Sequence, residues 1–124
     1  MSGPFGFPFP SLVIGTGLGP ETGTYGTCAT AGDNHVQFWD ASAPPAWHVV
    51  AVNMGHTDML EQENCGFACT ACAAGKNKDR MKRLTEAMLA AFFTGALKGD
   101  AAAYAWLTDA AASPCQVTME QKQH

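Results

Sequence analysis

The apolar positions along this chain change their spacing several times, and each change marks an element. Residues 11–16, Ser-Leu-Val-Ile-Gly-Thr, form a short apolar run with Val13 and Ile14 at its centre, closed by glycines. That pattern predicts a buried strand leading into a tight loop. The next stretch, PETGTYGTCATAGD, is too rich in Gly and Thr to predict an element. Residues 34–41 read as a short helix, with Asn34 at the cap and Gln37 three positions on, the spacing of a capping box. Residues 47–54, WHVVAVNM, are β-branched and almost wholly apolar. A strand of that composition is covered on both faces. Residues 78–98 predict the longest helix. Met81, Leu84, Met88, Ala91, Phe92 and Gly95 recur at three-and-four spacing, while Asp79, Lys82, Arg83 and Glu86 fall mostly on the opposite side. Lys98 and Gly99 supply a cation and a permissive residue at its end. Asp100 caps an Ala-rich helix over 100–111, which Pro114 ends, and CQVTMEQ beyond it reads either as a short final strand or as a tail. The order strand, helix, strand, long helix, helix predicts an α/β protein in which parallel strands (11–16 and 47–54) are covered by helices (34–41, 78–98 and 100–111).

Composition narrows the function classes. The 124 residues suit a single domain, and 47% hydrophobic content suits a packed core. Seven Lys and Arg against eleven Asp and Glu give a formal charge of −4 and no basic stripe, which argues against nucleic acid as a partner. No apolar run reaches the roughly 18 residues that predict a transmembrane segment. The opening, residues 1–10, is a Pro/Gly-rich loop without the basic and apolar regions of a signal peptide. Five cysteines, Cys28, Cys65, Cys69, Cys72 and Cys115, are an odd number. The parity predicts free thiols in a reducing compartment, with one local disulfide as the alternative. The spacing C-x3-C-x2-C over Cys65, Cys69 and Cys72 is not a standard zinc knuckle. A closed site would need His56 or Cys115 as a fourth ligand, so no metal is expected.

The stretch VAVNMGHTDMLEQ carries the candidate chemistry. In open parallel sheets, sites lie beyond the carboxyl ends of the strands, and His56 stands just past a predicted strand at that end. A histidine there can serve as a general base toward a serine, with Gly55 allowing close backbone approach. The nucleophile is missing. None of Ser2, Ser11, Ser42 and Ser113 lies in Gly-x-Ser-x-Gly. Cys28 is the only substitute, and it neither follows a predicted strand nor precedes a helix. In the order Ser, acid, His, a chain starting near the penultimate strand keeps the histidine and lacks the serine, so the absence reads as truncation. Asp58 is a candidate supporting carboxylate, although its expected role is to cap the following turn or to hold the loop through backbone bonds. Glu21, in the loop after the first strand, is a weaker candidate acid. His35, in the first turn of a helix, and His48, at a strand start, read as structural. Met54, Met59, Leu60 and Phe67 could line an apolar channel or belong to the core.

LVIGTGLG, NHVQFWD, PPAWHVVAVNMGHTDML and RMKRLTEAMLAAFF, in that order, resemble the C-terminal part of chlorophyllase, an esterase of the α/β-hydrolase fold. The resemblance covers about residues 10–100. It implies a C-terminal portion of an α/β-hydrolase domain over 11–113, between the loop at 1–10 and a tail at 114–124. It implies cleavage of the phytyl ester of chlorophyll to chlorophyllide and phytol in chlorophyll catabolism, a Ser-His-Asp triad, no cofactor and a chloroplast location. Gly55-His56-Thr57-Asp58-Met59-Leu60 matches the segment that holds the family's catalytic histidine, so His56 carries over as general base. The family's serine and triad aspartate have no counterpart here. The chain is therefore expected to be inactive alone and to need the missing N-terminal half, while its half-sheet leaves an unpaired edge. The alternative is a non-catalytic binding or regulatory protein derived from a hydrolase half.

Overall fold

The computed structural model describes residues 9–60 and 66–123; the Pro/Gly-rich opening up to Pro8 and the candidate ligand Cys65 lie outside them. Strand β1 (Ser11–Thr16) and strand β4 (Ala46–Ala51) pair in parallel, Ser11 opposite Ala46 and Thr16 opposite Ala51. Helix α1 (His35–Ala41) lies in the crossover between them. Its start is built as the spacing predicts. The Asn34 side chain accepts from the Val36 N–H, and the Gln37 side chain accepts from the Asn34 N–H, both at 2.8 Å. These bonds satisfy two of the N–H groups that a helix start leaves without partners.

The sheet is mixed, not wholly parallel. The last strand, β5 (Val117–Lys122), pairs antiparallel with the other edge of β4, giving the order β1-β4-β5. Of the two readings of CQVTMEQ, the strand is realised. Val117 and Met119 pack against the core while their neighbours face outward, the alternation of a half-covered antiparallel edge strand. The segment between β1 and α1 also holds an element, a hairpin of β2 (Thr22–Gly23) and β3 (Gly26–Thr27) closed through Gly26 at φ 117°. Composition hid these two-residue strands.

Side chains alternate along β4. Trp47, Val49 and Ala51 point to the main core, where Met81, Leu84 and Met88 of α3 (Lys78–Lys98) and Leu107 meet them. His48 points to the other face, toward α1. β4 stops at Ala51, three residues before the predicted end, because Val52 and Asn53 turn and the Met54 N–H returns to the Ala51 carbonyl. α3 follows its predicted bounds and ends in Gly99 at φ 66°, whose N–H reaches the Gly95 carbonyl. The Ala-rich helix is shorter than expected. α4 covers Ala101–Ala105, capped by Asp100, and 3-10 turns at Trp106–Thr108 and Ala110–Ala112 follow it. The break brings the fully buried Leu107 under the sheet. Tyr104 stacks on Trp47 with centroids 4.4 Å apart. A short helix, α2 (Phe67–Ala71), interrupts the loop before α3.

Leu84 contributes as a fully buried side chain at the centre of this cluster. Leu84→Ala is expected to lower unfolding free energy by about 3 kcal/mol, measured as a shift of the urea midpoint at unchanged slope.

Candidate active site

The loops that leave β1 and β4 at their carboxyl ends are stitched together. The Gly17 N–H donates to the Ala51 carbonyl at 2.8 Å, and the Leu18 N–H to the Met54 carbonyl at 3.0 Å. His56 stands five positions beyond the end of β4, exposed, on the rim of a cleft of about 460 Å³. One wall is β1 itself, residues 12–16, along the edge that pairs with no other strand among the described residues. His35 and Phe38 of α1, Cys28 and Met59 complete much of the rest. The lining is thus mainly apolar, with two imidazoles. A larger hollow of about 560 Å³, lined by Asn53, Lys76, Arg80 and Cys115 among others, does not include His56.

The loop carrying His56 is fixed from inside. Asp58 is completely buried, and its Oδ2 accepts the N–H groups of Gly55 and Gly75, each at 2.6 Å. Lys78, at the first position of α3, brings its Nζ to 3.8 Å from the Oδ1. A buried carboxylate is tolerated when charge and hydrogen bonds replace its lost hydration; here two amides bind the Oδ2, while the Oδ1 has no hydrogen-bond partner among the described residues and faces the Lys78 charge. Gly55 meets a steric demand. A β-carbon on it would stand 1.9 Å from the Ala73 carbonyl oxygen, so only glycine lets the His56 loop lie against residues 73–75.

The remaining candidates are dispersed. Glu21 is exposed before the hairpin and is not among the cleft-lining residues. Ser11 begins β1, the Ser42 hydroxyl donates to the Phe38 carbonyl, and the Ser113 hydroxyl accepts from the Cys115 N–H; Ser2 lies outside the described residues. Met54 is in the core, Leu60 and Phe67 are exposed, and only Met59 of that group lines the cleft. His48 lies within β4, away from the strand start, and is bonded to His35.

The expectation of free thiols is corrected. Cys28 and Cys72 form a disulfide across 44 positions, and Cys69 is disulfide-bonded as well. Neither Cys28 as nucleophile nor a thiolate zinc site at Cys69 and Cys72 is compatible with those bonds. An odd number of cysteines leaves one over without preventing the others from pairing. Here Cys115 is free and half-buried, its thiol pushed up by burial. Spacing alone did not reveal that the hairpin folds back onto the end of α2.

A family model, Chlorophyllase, matches residues 1–124. The chain belongs to the chlorophyllase family. It is 35% identical over 97 residues to chlorophyllase-2 of Arabidopsis thaliana, covering 73% of this chain and 30% of that protein. Chlorophyllase-1 of Citrus unshiu, named as chloroplastic, is 33% identical over 104 residues, 78% of this chain and 32% of its own. Chlorophyllase type 0 of Chenopodium album is 30% identical over 124 residues, 95% of this chain and 35% of its own. The chain spans about a third of the length of these curated relatives.

Two outcomes test how this chain holds its loop. Asp58→Ala strands the N–H groups of Gly55 and Gly75, the first of them buried, and is expected to cost about 3 kcal/mol, whereas Asp58→Asn, which keeps one acceptor oxygen, costs roughly half as much; urea denaturation compares them. Replacing both Cys28 and Cys72 by Ser removes a long loop constraint worth about 4 kcal/mol in the chain-entropy model, read as a lower thermal midpoint.

Proposed function

We propose that this chain is the histidine-bearing part of a chlorophyllase-type carboxylic ester hydrolase, the C-terminal portion of an α/β-hydrolase fold, with His56 as general base. The observation that carries the reading is the position of His56, exposed beyond the carboxyl end of β4 on the rim of a largely apolar cleft. Gly-His-x-Asp-Met-Leu reads Gly55-His56-Thr57-Asp58-Met59-Leu60 in this sequence. Asp58, pinned to two backbone amides, supports the loop instead of serving as triad acid.

The nucleophilic serine and the triad aspartate come from polypeptide outside this sequence, added along the open edge of β1. His56 then takes the proton from the serine hydroxyl as its oxygen attacks the ester carbonyl, and backbone N–H groups hold the oxyanion. As the intermediate collapses, the carbonyl carbon–oxygen bond to phytol breaks and His56 passes its proton to the departing alkoxide. Water, deprotonated by His56, cleaves the acyl-enzyme to release chlorophyllide. Phe38 and Met59 give a phytyl chain apolar surface beside the base. The substrate, a phytyl ester of the chlorophyll type, and a chloroplast location agree with the names of the relatives.

Chlorophyll hydrolysis should be followed for this chain alone and for the same chain joined to the portion of a relative that precedes the matched segment. Turnover is expected only in the joined protein, and His56→Ala there lowers kcat/KM by at least roughly a thousandfold. Full turnover by the Ala variant overturns the assignment, and a joined protein that binds chlorophyll without cleaving it supports a non-catalytic binding role instead.

A further inference from the structure

The face of the sheet toward α1 carries a chain of titratable groups that the proposed triad does not use. In the antiparallel pairing of β4 with β5, His48 stands directly opposite Glu120, so both side chains project toward α1. His48 is 3% exposed, and its Nδ1 lies 3.1 Å from the Glu120 Oε1. Its Nε2 lies 2.8 Å from the Nδ1 of His35. Trp39, one turn further along α1 from His35, stacks on the His48 ring with centroids 5.2 Å apart. The His35 ring rests on the backbone of β1 at Gly15, where a β-carbon would come within 2.3 Å of it. A glycine cradle, a stacked indole and two ring-nitrogen bonds thus fix both imidazoles.

Hydrogen-bond chemistry then orders the protons. An ionised carboxylate only accepts, so the Glu120 contact requires N–H at the Nδ1 of His48. The Nε2 of neutral His48 is therefore an acceptor, which requires N–H at the Nδ1 of His35. The Nε2 of His35 is left with a lone pair. It has no hydrogen-bond partner among the described residues, and His35 lines the same cleft as His56. We propose that Glu120 and His48 are positioning residues of a three-membered relay that sets the tautomer of His35, giving the cleft a second base, its Nε2, suited to accept a hydrogen bond from a hydroxyl or N–H group.

Burial and the neighbouring His48 both lower the pKa of His35 below the ordinary 6.5, so this base is unprotonated at neutral pH. The charged groups around the relay are few. From β5 come Glu120 and Lys122, the latter spent on the α1 carbonyls of Trp39 and Asp40 and on the Trp39 ring. Asp40 lies at the far end of α1, Asp33 and His56 border the cleft, and the β1 stretch 11–16 bears no charge. The relay holds or fails independently of any role for His56.

Long-range nitrogen–proton correlation spectra of ring-labelled histidine, on the full chain at neutral pH, test the relay. Glu120 is 57% exposed, so its replacement is compatible with folding, and His35→Asn assigns the signal. Wild type is expected to show His35 and His48 with the proton on Nδ1 and a bare Nε2. Glu120→Ala populates both tautomers of His35 while the His56 signals stay unchanged, and Glu120→Gln, which keeps an acceptor oxygen, retains the wild-type pattern. A proton on the His35 Nε2 in wild type, or a His35 signal indifferent to Glu120→Ala, overturns the proposal.

Discussion

β4 is hydrogen-bonded along both edges, to β1 on one side and β5 on the other. Because its side chains alternate, it sends Trp47, Val49 and Ala51 into the core and His48 to the opposite face. A slip of one residue in either pairing would exchange the two sets, placing an imidazole among methionines and an indole under α1. The register also determines where the strand stops, and thereby where the loop with His56 leaves the sheet.

Around that loop the structure replaces solvent with fixed partners. Asp58 has lost its water and holds two amides and a lysine. Lys122 does the converse at the end of α1, where it meets the carbonyls of Trp39 and Ser42, the negative end of a helix that a cation favours. Backbone groups in the His56 loop and at the end of α1 are thus hydrogen-bonded to charged side chains.

Much of this frame was legible in the residues. The capping box at Asn34, the apolar face of 78–98 and the two parallel strands are local patterns with short-range causes. What sequence reasoning missed depends on long-range pairing. The antiparallel addition of β5 requires knowing which edge of β4 is free. The bond between Cys28 and Cys72 requires the hairpin to fold over α2. The pairing of His35 with His48 follows from α1 crossing the sheet at Gly15, and no spacing between positions 35 and 48 announces it. The position of His56 beyond the carboxyl end of β4 was legible because a histidine just after a buried strand carries its own positional meaning.

The missing β-carbon at Gly55 and the shared carboxylate beneath it have a consequence for traffic. The turn bearing the imidazole and the stretch at 73–75 share one margin, tied together by the Asp58 bonds to Gly55 and Gly75. Under the proposed esterase role, a long hydrocarbon approaches from the bank opposite that margin, past Phe38.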